Sequence, residues 1–114
     1  TDDKAYGRKL FRAAFAPYFA TPVYNKFLAW AGYSDAANTI NEGWAAKDRE
    51  KTGNALTDDL IDEIAIIGTR EEIQQRIRSD ADGGVHTHII APLAATADDL
   101  NNTFEAFTAE NFQF

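Results

Sequence analysis

AIIGTREEIQQRIRSDADGGVHTHIIAPL, residues 65–93, reads as strand, helix and strand. Residues 65–67 form an apolar run that stops at Gly68, as is typical of a strand buried on both faces. A second apolar run at residues 85–93 predicts another strand. Because the crossover contains a helix, the two strands should be parallel and the connection right-handed. Two parallel strands cannot cover both of their faces, so this stretch predicts a piece of a larger sheet.

The helix inside this stretch has signals at both of its ends. Thr69 and Glu72 form the T-x-x-E pattern of a capping box, which satisfies backbone N–H groups at a helix start. A pair of glycines, Gly83 and Gly84, follows the helix where a left-handed residue commonly ends one. Thr96, followed three residues later by an acid, predicts a last helix in the same way. Helices and strands therefore alternate in the second half of the chain.

The first half of the chain predicts helices only. Residues 1–20 carry an amphipathic aromatic stripe, and Pro17 predicts a kink or an early stop near Ala16. Further helices are predicted at residues 23–31 and at residues 36–52, and Gly32 is expected to end the first of these two in a left-handed conformation. Thr57 is expected to cap another helix that begins there. The large side chains of the first three helices are expected to face the core: Phe11, Phe15, Tyr18, Phe19, Val23, Phe27, Trp30, Ile40 and Trp44.

Composition limits the possible partners and compartments. The net charge of −7 and the pI near 4.6 argue against nucleic acid, because phosphate backbones are bound by clusters of Lys and Arg. No apolar run approaches the roughly 20 residues that span a bilayer. The chain has no cysteine, which excludes disulfides and cysteine-based zinc sites. We therefore expect a soluble, cytoplasmic protein that binds neither nucleic acid nor membranes.

Residues 56–93 resemble the C-terminal part of luciferase-like monooxygenases, which are barrel proteins that use FMN or a deazaflavin coenzyme. The likeness lies in an acidic short helix, a strand ending in Gly68-Thr69, a capped helix and a second strand ending in Pro92. The upstream segment APYFATPVYNKFLAWAGY, residues 16–33, is similar to the helical insert of the family. The resemblance implies an α/β fold: a helix-rich C-terminal segment of a (β/α)8 TIM-type barrel that contributes two parallel strands.

The same resemblance implies how the chain is organised and what it does. Residues 1–55 would be the helical insert region and residues 56–114 the closing strand-helix units, in a single piece. The chain would be a C-terminal fragment or truncated member of a flavin- or deazaflavin-dependent oxidoreductase, acting by monooxygenation or hydride transfer. The full-length family implies FMN or a deazaflavin, but this chain alone is expected to bind neither and to be inactive by itself. The family's isoalloxazine site is built mainly by earlier strands.

Two expectations concern partners. The uncovered barrel face requires either a homo-oligomer or the missing portion of the barrel. The alternative interpretation is a stand-alone small α/β protein-interaction module that oligomerises through its aromatic faces. A third interpretation is a metal-dependent hydrolase that uses His86 and His88, which an H-x-H strand would place on one side. A zinc site needs three or more ligands, so structural or surface roles are expected for these histidines, and no metal site is predicted.

The candidate binding site is an anion site formed by Gly68, Thr69 and Arg70. These residues lie at a helix N-terminus, where free N–H groups and the helix dipole favour a negative charge. In barrels of this kind, phosphate often binds to the loops after the last two strands. The competing interpretation is that Thr69 only caps its helix and that Arg70 is a solvated charge. No catalytic set of residues is predicted.

Overall fold

The computed structural model describes residues 1–113, and all regular secondary structure in this range is helical. Within residues 1–113, seven helices follow one another: α1 (Lys4–Phe19), α2 (Pro22–Trp30), α3 (Ser34–Ala45), α4 (Arg49–Asn54), α5 (Asp58–Ile64), α6 (Arg70–Asp82) and α7 (Ala97–Ala106). No strand or sheet is present among the described residues. The prediction of an α/β fold, a C-terminal segment of a (β/α)8 TIM-type barrel with two parallel strands, is therefore wrong.

Neither of the two segments predicted to be strands pairs with another strand in the described part of the chain. Ala65 has the extended dihedral angles of a strand, with φ at −109° and ψ at 147°. Residues 85–93 likewise have no regular secondary structure, and the Ile89 side chain is 90% exposed. A strand is stable only when neighbouring strands accept and donate its backbone hydrogen bonds, and an isolated pair is marginal in water. Apolar composition alone did not bring these two segments together.

The chain divides into two units, which are described separately. One unit comprises Arg8–Ala65, and the other comprises Thr1–Gly7 together with the residues from Ile66 onward. The core of the first unit is aliphatic and aromatic: Phe11, Ala16, Phe19, Leu28, Ala37, Ile40, Leu56, Leu60 and Ile61 are buried. In the second unit, the buried apolar residues are Ile77 and Ala106.

Helix α1 differs from its prediction at its end. It continues through Pro17 to Phe19, so the early stop predicted near Ala16 is wrong. Pro22 instead occupies the first position of α2, where its missing N–H costs no hydrogen bond. The end of α2 agrees with the glycine expected after it, because Gly32 has a φ of +104°.

The helix predicted at residues 36–52 is two helices. Lys47 has a φ of +57°, a left-handed conformation that ends the first of them after Ala45. Asp48 begins α4, and its side chain accepts a hydrogen bond from the Lys51 N–H at 2.9 Å. The two helices cross closely at Gly43, where an added Cβ would lie 2.6 Å from Thr52 Oγ1.

Two arginines attach α1 to α5 within the first unit. Arg8 Nε donates to Asp62 at 2.9 Å, and Arg12 Nε donates to the Leu56 carbonyl at 2.8 Å. Arg12 also pairs with Asp58 in the first turn of α5. Thr57 caps that helix as predicted, by accepting a hydrogen bond from the Leu60 N–H.

Buried polar groups hold the second unit together. The Gln74 amide donates to the Ala106 carbonyl at 2.6 Å and to the Asn111 carbonyl at 3.1 Å, which links α6 to the chain at and after the end of α7. The Arg78 guanidinium lies 4.8 Å from the centre of the Phe112 ring, a cation–π contact. Because a buried polar group must find hydrogen-bond partners, these contacts fix the position of α7 on α6.

None of the helices in the described part of the chain combines the length and apolarity needed to cross a bilayer; the longest, α1, has 16 residues. The cytoplasmic location stays a prediction.

Candidate functional site

The capping box predicted at the start of α6 is confirmed. Thr69 Oγ1 accepts a hydrogen bond from the Glu72 N–H at 3.2 Å, and Glu72 Oε2 accepts one from the Thr69 N–H at 2.8 Å. Gly68 is buried directly against this arrangement, where an added Cβ would clash with the Glu72 side chain. A larger side chain at position 68 would therefore have to displace the Glu72 carboxylate from the capping box.

The structure thus places a carboxylate of the chain itself at the predicted anion site. Glu72 also accepts a hydrogen bond from Lys4 Nζ at 2.9 Å. The Lys4 contact, followed by the hydrogen bond from the Thr69 N–H, lowers the pKa of the Glu72 carboxyl below its ordinary value. Arg70 lies 3.7 Å from Glu105 on α7, so its charge faces an acid. Binding of an external anion by Gly68, Thr69 and Arg70 stays a prediction.

The histidines of the H-x-H motif do not belong to a metal cluster in the range that the structure describes. His86 is exposed and His88 is half-buried. No group of three or more His, Cys, Asp or Glu side chains in residues 1–113 is arranged to hold a metal ion.

An exposed apolar surface of the first unit lies on α2, on residues that the sequence pattern predicts to be buried. Val23, Phe27 and Trp30, called the α2 stripe below, are 74%, 57% and 82% exposed. Their spacing of four and three residues places them on one side of the helix. The predicted burial of these three residues is therefore wrong, as is that of Tyr18 and Trp44, whereas that of Phe11, Phe19 and Ile40 is confirmed.

Asn25 explains why α2 turns its other face to the core. Its side chain is buried and donates to the carbonyls of Phe19 at 3.2 Å and Ala37 at 2.9 Å. Its amide oxygen accepts a hydrogen bond from Asn41 at 2.8 Å. Leu28, one turn away, is buried on the same face. A buried amide is tolerated in a core when its hydrogen bonds are satisfied, as the three partners of Asn25 satisfy them here.

A smaller apolar stripe is exposed on α7. Leu100 and Phe104, called the α7 stripe below, are 36% and 55% exposed and lie one helical turn apart. Acids stand beside it on the same helix, with Asp98 and Asp99 in the first turn and Glu105 near the end. This helix is capped by Thr96 as predicted, because Thr96 Oγ1 accepts a hydrogen bond from the Asp99 N–H at 3.1 Å.

The charges of the chain are segregated along the sequence, a feature that composition hides. Residues 4–34 contain five Lys and Arg and no Asp or Glu. After Arg78 the chain contains six Asp and Glu and no Lys or Arg. This segregation is visible in the sequence itself when charges are counted block by block, so it is a signal that overall net charge conceals. The α2 stripe lies in the acid-free block and the α7 stripe in the base-free block.

Comparison with known families gives one match. The family model described as luciferase-like monooxygenase matches residues 2–87, which is 86 of the 114 residues. Searches of curated proteins and of solved structures each found no significant match. The match includes most of the segment on which the resemblance was based. That the chain corresponds to the C-terminal portion of the family stays a prediction.

Proposed function

The chain belongs to the luciferase-like monooxygenase family, and we propose that it forms part of a flavin- or deazaflavin-dependent oxidoreductase. The match over residues 2–87 is the observation that carries this proposal. The reaction would be a monooxygenation or a hydride transfer, for which the bound FMN or deazaflavin supplies the redox chemistry. We propose further that the chain is a C-terminal fragment or truncated member of the family and does not turn over by itself.

The start of α6 supports the second part of the proposal, because its residues do not fit a flavin phosphate as they stand. The Thr69 N–H, a donor that an incoming phosphate would need, already binds the Glu72 carboxylate at 2.8 Å. Glu71 and Glu105 add two more negative charges, so three carboxylates stand against the two positive charges of Lys4 and Arg70. A phosphate would have to displace one carboxylate and approach two others, which electrostatics opposes.

The experiment compares the isolated chain with the assembly that it enters in its own cell. The purified chain is titrated with FMN and, separately, with a deazaflavin, and flavin fluorescence is recorded. The affinity-tagged chain is also recovered from its native cell, and the bound flavin is identified by mass spectrometry. We expect no saturable quenching at micromolar concentrations of the chain alone, and a flavin in the recovered assembly.

The two measurements separate the two parts of the proposal. Tight binding of FMN by the isolated chain would contradict the statement that it needs further polypeptide. An assembly that contains neither FMN nor a deazaflavin would contradict flavin dependence itself. As a control, Asn38→Glu, at an exposed position of α3 that is given no role in binding, should recover as much flavin as the wild type.

A second candidate function is protein interaction, and the exposed α2 stripe favours it. Monomeric proteins rarely expose a Trp, a Phe and a Val side by side on one helix, because burying such surface is worth about 25 cal/mol per Å². We propose that this stripe is covered by a protein partner. The partner could be a second copy of the chain or another polypeptide of the same assembly.

A further inference from the structure

The α2 stripe has the composition of an interaction hot spot. Trp30 is 82% exposed and its ring centre lies 5.9 Å from that of Phe27, so the two rings form one continuous apolar surface. Trp is among the residues whose removal costs most at protein interfaces, because its large ring buries much area at a small entropy cost. Lys26 is the single charged residue of α2. Within α2, the stripe therefore has one basic neighbour and no acidic one.

The α7 stripe has the opposite electrostatic character. Leu100 and Phe104 are flanked by Asp98, Asp99 and Glu105, and no basic residue occurs on α7 itself. Arg70 of α6 faces Glu105 at 3.7 Å, which leaves Asp98 and Asp99 as the acids available to a partner. Contact between two α2 stripes would bring two Lys26 ammonium groups together. Contact between two α7 stripes would bring the acids of α7 together. Each like-with-like arrangement juxtaposes like charges, whereas contact between an α2 stripe and an α7 stripe pairs opposite ones.

We propose that the α2 stripe of one copy binds the α7 stripe of a second copy of this chain. The contact is a pairing of two helices, each presenting apolar residues one turn apart, with Lys26 near the α7 acids of the other copy. This inference rests on the interaction role proposed above and names its partner. Because the two stripes differ, the contact is heterologous, so every copy offers one surface of each kind.

The size of the two stripes sets the expected strength. Each aromatic side chain contributes on the order of 150–250 Å² when it is fully buried. The contact is therefore small compared with the roughly 800 Å² per partner of a standard interface. We expect a dissociation constant of self-association on the order of tens to hundreds of micromolar, which sedimentation equilibrium can measure.

The test uses two variants of the full chain, Trp30→Glu on α2 and Phe104→Glu on α7. We expect each variant to raise the dissociation constant of self-association at least about thirtyfold, as the loss of a hot-spot residue does. A 1:1 mixture of the two should associate again. In that mixture the intact α7 stripe of the Trp30→Glu chain meets the intact α2 stripe of the Phe104→Glu chain. Sedimentation of the mixture, with one variant carrying a fluorescent label, reports the mixed complex.

Control variants test whether a loss of self-association is specific to the α2 and α7 stripes. Asn38→Glu adds the same charge at an exposed position of α3 and should associate like the wild type. Val23→Glu, at a residue 74% exposed, is the second variant of the α2 stripe if Trp30→Glu does not fold. Leu100→Glu is the second variant of the α7 stripe if Phe104→Glu does not fold. Far-UV circular dichroism of every variant establishes that it is folded.

The mixing experiment distinguishes this pairing from its rivals. A wild-type chain that stays monomeric at several hundred micromolar would overturn the proposal, and the flavin proposal would be unaffected because its readout is separate. Self-association that survives Phe104→Glu but not Trp30→Glu would also overturn it, in favour of contact between α2 stripes. A mixture of the two folded variants that remains monomeric would overturn it as well.

Discussion

Glu72 makes one contact within its own helical turn and one with a residue far away in the sequence. Its carboxylate closes the capping box on Thr69, three residues away, and binds Lys4, which is 68 positions away in the sequence. The box follows from the T-x-x-E pattern because its geometry is set by the first turn of a helix. The contact with Lys4 requires the start of the chain to lie beside α6. A local sequence pattern does not predict this arrangement.

Glu72 should make the stability of the chain depend on pH in the acid range. Its pKa is lowered in the folded protein, first by the hydrogen bond from Lys4 and then by that from Thr69. A lowered folded pKa stabilises the fold fully above the ordinary Glu value of about 4.5, and this contribution is lost as the pH falls through the folded value. We therefore expect Glu72→Gln to be less stable than the wild type at pH 7, with the difference shrinking below about pH 4.5.

Urea unfolding followed by circular dichroism at a series of pH values measures this difference. Glu71→Gln removes the neighbouring first-turn acid of α6 and is the matched control. If Glu72→Gln and the wild type differed by the same amount at every pH, the ion pair would have no role in stability.

In helices α3 and α4, close packing at Gly43 outweighs the better helix propensity of alanine. Glycine inside a helix costs about 1 kcal/mol relative to alanine, so the sequence marks Gly43 as a weakness of α3. In the structure, a Cβ at position 43 would lie 2.6 Å from Thr52 Oγ1 and 2.9 Å from the Thr52 backbone nitrogen. Backbone atoms of a packed helix cannot move aside cheaply, and overpacking of this kind costs about 1–3 kcal/mol.

We therefore expect Gly43→Ala to lower the free energy of unfolding by about 1 kcal/mol or more, despite the better helix propensity of alanine. Gly53, inside α4, is the matched control because a Cβ there meets nothing within 4 Å. Gly53→Ala should raise the free energy of unfolding by up to about 1 kcal/mol. Chemical denaturation of the two variants side by side measures both effects. A stabilising Gly43→Ala would mean that α3 and α4 cross less closely than described.

Helix α2 shows the limit of hydrophobic periodicity as a guide to burial. Two faces of this helix can be read as apolar, one with Val23, Phe27 and Trp30 and the other with Leu28. The larger side chains favoured the first face, but α2 buries the face that contains Asn25 and Leu28. Three hydrogen bonds satisfy the Asn25 amide inside. Hydrophobic periodicity predicts that a segment is a helix. Which of its two faces is buried depends on the packing and hydrogen-bond partners that neighbouring helices supply.

For the whole molecule, the net charge of −7 opposes the self-association proposed above. Two such charges with centres roughly 30 Å apart repel over a Debye length of about 30 Å at 0.01 M salt, but over only about 8 Å at 0.15 M. The estimated difference in repulsion is about 2 kcal/mol. The closely opposed groups at the stripes are screened less, so they select the orientation of the contact at both salt concentrations.

Self-association should therefore be about thirtyfold tighter at 0.15 M than at 0.01 M salt, because screening removes the general repulsion. Sedimentation equilibrium of the wild type at the two salt concentrations measures the change. Weaker association at the higher salt would show that the Lys26 contact with the α7 acids outweighs the net charge.

The sequence by itself determined what depends on one or two turns of chain. The caps at Thr57, Thr69 and Thr96 and the glycine after α2 are as predicted, because each is decided by residues within four positions of one another. The family resemblance also came from ordered local motifs, and the match over residues 2–87 confirms the family.

Only the tertiary structure decided what depends on distant partners. The apolar segments at residues 65–67 and 85–93 do not form strands in the described chain, since a strand is made by its neighbours in the sheet. The exposure of Trp30 and the contact of Glu72 with Lys4 depend likewise on side chains far away in the sequence. Hydrogen bonds within a turn are local and can be read from a pattern. The burial of a face and the pairing of a strand are choices among competing partners, and a sequence pattern does not rank those partners.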